Sequence, residues 1–427
     1  MKKKISWPKA LALVALTFVL TVLGFNLFSN GEARVKRKVN HEYAVGDPQF
    51  PRAMGALLGP PLVGGNQATT LLNGEQIFPA MLAAIRGAQR TINFETYIYW
   101  SGNVGKQFAD WLAERARAGV KVHILVDWVG SQKMDDVLLK EMRDAGVEIH
   151  KYHPLHWYSL DRINNRTHRK LLVVDGRVGF TGGVGIADEW DGHAQDVNHW
   201  RDTHYRIEGP AVAQMQAAFA DNWMKVSGAV LHGEPYFPAI VPAGDLRAQV
   251  FRSSADGGAE SMHLMYLLSV ASARKSIDLS MAYFVPDELA LETLEDALHR
   301  GVRVRIILPG PVTDAAVVRQ ASKAKWGRIL ALGGEIYEFQ PTMFHCKVLV
   351  VDKLWVSVGS TNFDERSFRL NDEANLNVLD RAFAARQVAD FENDLKRARR
   401  ITYDEWISRP WTEKAWERFT ALFGPQL

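Results

Sequence analysis

The chain has 427 residues, 47% hydrophobic and 23% charged, which leaves room for two ordinary domains with cores of their own and excludes a disordered profile. A single cysteine, Cys346, excludes an internal disulfide and reads as a filler side chain. The net charge of +3 is uneven: residues 1–41 hold eight Lys or Arg against one Glu, so the remainder carries 43 basic against 47 acidic residues and leans away from a nucleic-acid partner.

The first element in chain order is an apolar run at 10–28, interrupted by Thr17, Thr21 and Asn26. Helix of that length, at roughly 1.5 Å per residue, nearly crosses a hydrocarbon core of about 30 Å. The run has no polar face, so residues 1–33 are expected to form an uncleaved transmembrane anchor. Lys2, Lys3, Lys4 and Lys9 before it balance Arg34, Lys36, Arg37 and Lys38 after it, and orientation is left open. Pro and Gly density between 40 and 66 marks a linker, taken as 34–68.

The spacing of apolar residues then predicts a helix at 77–85, a strand at 91–99, a helix at 105–118 and a strand at 120–126. A helix at 134–145 and a short strand at 147–150 follow. The same order returns later: helix 259–273, strand 276–284, helix 288–300, strand 302–308, helix 315–332 and strand 335–339. Strands alternating with helices predict an α/β fold with sheets covered on both faces. Gly233, Pro235, Pro238, Pro242 and Gly244 mark the boundary, giving repeats at 69–238 and 239–427.

One motif fixes the register of this duplication. His168-x-Lys170-x4-Asp175 recurs as His345-x-Lys347-x4-Asp352, offset by 177 residues, and each copy reaches a small pair, Gly182-Gly183 or Gly359-Ser360. Each motif is expected to open a strand, at 168–174 and 345–351, where positions i and i+2 share a face. His and Lys would then project together as half of an anion site, and packing about a pseudo-twofold axis would merge the halves. Asp175 and Asp352 end their strands, a place suited to bracing loops.

The repeated His-x-Lys-x4-Asp-x6-Gly-(Gly/Ser) pattern resembles the phospholipase D superfamily. The stretches Phe94-Glu95-Thr96-Tyr97-Ile98, Trp200-Arg201-Asp202-Thr203-His204 and Gly359-Ser360-Thr361-Asn362-Phe363-Asp364 resemble its bacterial cardiolipin synthase branch, over about residues 70–425. The resemblance implies two tandem α/β sandwich repeats packed as a pseudo-dimer. It also implies a catalytic set of His168, Lys170, Asp175, His345, Lys347 and Asp352 that needs no metal or other cofactor. His168 is expected as the nucleophile forming a phosphohistidine and His345 as the general acid and base, with both lysines on the phosphate oxygens. An acidic residue downstream of each motif is expected to orient its histidine: Asp202 in the first half, Glu373 in the second.

Ser360 and Asn362 are expected to bind phosphate, whereas Gly185 stands where a matching Asn would fall in the first half. The implied substrates are membrane phospholipids, phosphatidylglycerol and in some cases phosphatidylethanolamine, at the bacterial inner membrane. The implied reaction is phosphatidyl transfer to make cardiolipin. Lipid hydrolysis, a nucleic-acid phosphodiesterase and an inactive scaffold are the alternatives. Trp406, Trp411 and Trp416, interleaved with Arg409, Lys414 and Arg418, fit either an interfacial face or helix packing.

Overall fold

The computed structural model describes residues 35–154, 165–239, 241–254 and 261–426, with scattered positions before residue 35. Most of the apolar run at 10–28 lies outside the described residues. Among those described, no helix is long and apolar enough to cross a membrane.

The first half contributes β1 (Val63–Leu72), β2 (Thr91–Thr96), β3 (Lys121–Asp127), β4 (Glu148–Tyr152), β5 (Arg166–Thr167), β6 (Leu171–Val174), β7 (Val178–Gly182) and β8 (Thr203–Glu208). The second contributes β9 (Leu246–Ser253), β10 (Ser276–Met281), β11 (Phe284–Val285), β12 (Arg303–Pro309) and β13 (Glu335–Phe339). It continues with β14 (Lys347–Val351), β15 (Trp355–Gly359), β16 (Phe363–Asp364), β17 (Asn371–Leu379) and β18 (Ala398–Ile401).

All but β11 and β16 belong to one 16-stranded sheet, joined at its centre by the antiparallel pair β1–β9. Outward from that junction, the order β1-β8-β7-β6-β2-β3-β4 is matched by β9-β17-β15-β14-β10-β12-β13. In both runs the three outer strands are parallel and the inner ones antiparallel. The duplicated spacing of the motif is therefore a duplicated topology.

Strands such as β6 are apolar on both faces because both faces are covered. On one side each copy builds its own core, from Ile77, Phe94, Phe108 and Ile124 in the first and Leu279, Leu294, Ile306 and Ile329 in the second. On the other side a single core is shared. Leu171, Tyr205 and Phe219 pack there with Val250, Val358 and Leu376 beneath the helices Ala211–Ser227 and Arg381–Leu395. The two copies thus bury apolar surface against each other as well as sharing a sheet.

Two expectations about the motif need correction. β6 begins at Leu171 and β14 at Lys347, so both histidines sit just ahead of their ladders rather than within them. Asp175 and Asp352, grouped with the catalytic set, brace turns instead. Both adopt left-handed backbone with φ of 53°. The Asp175 carboxylate accepts from the backbone N–H groups of Gln89, Arg90 and Thr91, and Asp352 accepts from those of Arg274, Lys275 and Ser276. Each aspartate ties its hairpin to the start of the neighbouring strand, β2 or β10, and satisfies three donors that the helix-to-strand turn exposes.

Candidate active site

His168 and His345 line one cavity of about 150 Å³ at the junction of the halves, together with Lys170, Asn362, Tyr97 and Tyr283. Each histidine is clamped twice, and each clamp comes from the opposite half. The His168 N–H donates to the Asp372 carbonyl at 2.9 Å, while its Nδ1 lies 2.9 and 3.0 Å from the two oxygens of Glu373. The His345 N–H donates to the Arg201 carbonyl at 2.7 Å, and its Nδ1 lies 2.8 Å from Asp202 Oδ2. The expected pairing of each carboxylate with the histidine of its own half is thus exchanged. The cause is β5, which crosses the junction to pair with β17, and a matching bridge between Phe344 and Arg201.

The glycines of the motif allow this approach. A Cβ on Gly359 would come within 2.4 Å of the Ala374 carbonyl oxygen, and one on Gly182 within 2.6 Å of the Thr203 carbonyl oxygen. Any side chain there would push away the strand that carries the carboxylate.

The lysines are placed alike. Lys170 Nζ donates to the His168 carbonyl at 2.9 Å and Lys347 Nζ to the His345 carbonyl at 2.7 Å; Lys347 Nζ also lies 3.1 Å from both ring nitrogens of His345. An aromatic ring stands beside each imidazole, Tyr97 at 5.4 Å from His168 and Tyr283 at 6.4 Å from His345.

The two half-sites differ in what holds the carboxylate. Ser360 donates its hydroxyl to Glu373, so it does not face the cavity as the expected phosphate ligand. At the matching place Gly183 leaves room for Asp202, whose Oδ2 accepts instead from the Trp190 indole N–H at 2.9 Å. Asn362 does line the cavity, with its buried Oδ1 unpartnered among the described residues. Its counterpart Gly185 is required by packing: a Cβ there would lie 2.9 Å from Ile98 and 3.2 Å from the Trp190 ring. Trp190 and Trp200 then flank His345 at 5.3 and 5.5 Å.

Burial sets the protonation of the site. It lowers the His168 pKa to about 4, with the Glu373 charge opposing and Lys170 adding to the effect. His345 is lowered as well, by burial and then by Lys347. Lys170 falls to about 7, again through burial first, and Lys347 falls too. Burial would raise Glu373 and Asp202, but the charges of their histidine partners and of the lysines hold both below the usual carboxylate range. Cys346 is not part of this chemistry. It packs with Ile307, Phe339 and Phe344, and burial pushes its thiol far above neutrality.

Sequence reasoning missed Trp190 as the donor to Asp202, and Arg166, Asp314 and Arg366 as cavity walls. It had one usable signal: Tyr97 and Tyr283 both stand just past matching strands, β2 and β10.

A family model described as "Cardiolipin synthase, PLD-like domain" matches residues 81–223 and 267–395. The chain belongs to this family. A cardiolipin synthase from Geobacillus kaustophilus is 36% identical over 85% of this chain and 72% of that protein. The major cardiolipin synthase of Bacillus subtilis is 33% identical over 85% of this chain and 76% of its own length. Among solved structures, phosphatidylserine synthase from Haemophilus influenzae superposes with a TM-score of 0.65, covering 84% of this chain and 95% of that one. At 14% identity this likeness concerns the fold.

Proposed function

We propose that this chain transfers a phosphatidyl group from one phospholipid, phosphatidylglycerol or phosphatidylethanolamine, to a hydroxyl of phosphatidylglycerol, making cardiolipin and releasing the donor's small alcohol. It is a phosphatidyltransferase of the phospholipase D superfamily. The observation that carries this reading is the shared cavity, in which two imidazoles from opposite halves, each held at Nδ1 by a carboxylate and accompanied by a lysine, face one space.

A phosphodiester anion entering between Lys170 and Lys347 favours their charged forms and offsets the burial that lowers their pKa values. His168, neutral in the free site, attacks phosphorus through Nε2. The bond from phosphorus to the leaving headgroup oxygen breaks, and His345, whose imidazolium form the entering anion favours, supplies the proton that oxygen takes. His345 then accepts the proton of the incoming lipid hydroxyl, whose oxygen attacks phosphorus and releases His168. Both ammonium groups meet the negative charge that builds on the non-bridging oxygens, and Asn362 offers an amide to the same group. Glu373 and Asp202 are positioning residues that fix each imidazole tautomer.

On this reading the repeats divide near residue 238, between the helix Ala211–Ser227 and β9, and the apolar run at 10–28 is a single-pass anchor in the bacterial cell membrane. The test is a product assay with full-length protein in phosphatidylglycerol vesicles, with and without phosphatidylethanolamine, read by lipid mass spectrometry beside His168→Ala. Cardiolipin with released glycerol or ethanolamine is the expected result. Phosphatidic acid as the sole product would make the chain a hydrolase, and no product from either lipid would overturn the reading.

A further inference from the structure

The helix Trp411–Ala421 is amphipathic in the opposite sense to an ordinary surface helix. The side that packs on the helix Ala316–Ala331 is polar. There Glu417, 1% exposed, sits 2.8 Å from Arg409 and 3.4 Å from Lys323, with Thr420 buried and Glu413 also paired to Lys323. The outward side carries Trp411, Trp416, Phe419 and Leu422, which are 78, 53, 50 and 74% exposed. The rings of Trp416 and Phe419 stack at 5.6 Å. Trp406, by contrast, is a packing residue: its indole N–H donates to the Lys323 carbonyl at 2.8 Å and its ring lies against Gly327. A contiguous aromatic face turned to solvent, on a helix already anchored by its charges, needs a covering surface.

Three further features bear on what covers it. Ala421 and Leu422 line an open groove together with Val35 and Lys36, so the continuous described stretch, which starts at Val35, begins beside this same helix. Glu365 and Arg369 also line that groove, and they belong to the short helix Glu365–Arg369 whose Arg366 and Ser367 line the catalytic cavity. Finally, exposed Lys36, in the groove beside Leu422, and exposed Arg418, on the helix itself, bring positive charge next to the aromatic face.

We propose that this face docks on an anionic lipid surface. Trp411, Trp416, Phe419 and Leu422 enter the boundary between headgroups and acyl chains, the cations meet the headgroups, and the active-site wall is thereby held at the bilayer. The inference builds on the lipid reading of the active site, but its first test does not depend on turnover. Cys346 is buried, so a cysteine introduced in its place of exposure can be labelled selectively. Full-length Phe419→Cys and, as a control, Lys121→Cys would each carry an environment-sensitive fluorophore in phosphatidylglycerol/phosphatidylcholine vesicles with acyl-chain nitroxide lipid. The label at 419 should lose about half its emission or more, as expected about 5–10 Å into the interface, while the one at 121 should not. Equal quenching at both sites, or none at 419, would overturn the proposal. So would protection of 419 in lipid-free detergent, which would assign the face to a second copy or to another segment of the chain. In the second test, Trp416→Ser/Phe419→Ser should slow turnover of phosphatidylglycerol in vesicles by about tenfold, in line with two lost aromatic anchors, and leave turnover of detergent-dispersed lipid unchanged. Equal rates on vesicles for variant and parent would contradict it.

Discussion

The two halves of the active site reach the same geometry by different means. In one, Glu373 spans the distance to His168 and is steadied by Ser360; in the other the shorter Asp202 reaches His345, and Trp190 supplies the steadying N–H. The exchange of Ser for Gly at 183 and of Asn for Gly at 185 belongs to one adjustment, because both vacated volumes are taken by Asp202 and the Trp190 ring. A duplicated site keeps the contacts that fix its imidazoles and lets the supporting atoms change. The chemical consequence is an asymmetric pocket, with an amide beside one half-site and an indole wall beside the other.

The largest effect expected falls on the imidazoles: His168→Ala and His345→Ala should each lower kcat by about a thousandfold or more in the lipid product assay. Next, Glu373→Gln and Asp202→Asn should each cost about a hundredfold, and their pH profiles sharpen the comparison. In the free enzyme His168 is deprotonated above about pH 4, so kcat/KM should rise through that value; it should then fall as His345, which burial and Lys347 hold below the ordinary histidine range, loses its proton, and fall further as Lys170 does through about pH 7. The Glu373 charge raises the His168 pKa, so Glu373→Gln should move the acid limb to lower pH while Asp202→Asn leaves it in place. The reverse assignment would break the exchanged pairing.

Smaller effects follow from packing. Gly185→Asn, which copies Asn362 into the first half, should destabilise the fold by about 1–3 kcal/mol through collision with Ile98 and Trp190, read by thermal unfolding. Asp175→Ala and Asp352→Ala should each cost about 1–3 kcal/mol by stranding backbone donors, with kcat largely retained at temperatures where the protein is folded. Trp190→Phe and Ser360→Ala remove one hydrogen bond each from a buried carboxylate, and each should slow turnover by about five- to tenfold.

Much of this was legible in the sequence. The repeated motif located both histidines and both lysines, and the alternation of apolar runs located most strands, because spacing and periodicity are local properties. The predicted strands at 91–99 and 276–284 overran because the chain turns at Tyr97 and Ala282 to place Tyr97 and Tyr283 beside the imidazoles. The exchange of Asp202 and Glu373 was not legible, since each follows its own motif along the chain and only the crossing of β5 onto β17 decides which histidine it meets. The role of Ser360 was misjudged for a similar reason. A hydroxyl beside a motif suggests phosphate, but the nearest acceptor is a carboxylate that folding delivers from 13 residues downstream. Trp190 lies between Gly183 and Asp202, a stretch longer than that from Ser360 to Glu373, so spacing relative to the second half gives no guide to it.

The most direct test of the central claim, a site completed only by both halves and working through a covalent histidine, is a single-turnover reaction rapidly quenched in denaturant and mapped by peptide mass spectrometry. The expected result is a phosphatidyl adduct on His168 that forms and decays at rates compatible with turnover. Absence of any adduct during turnover, or an adduct confined to His345, would contradict it.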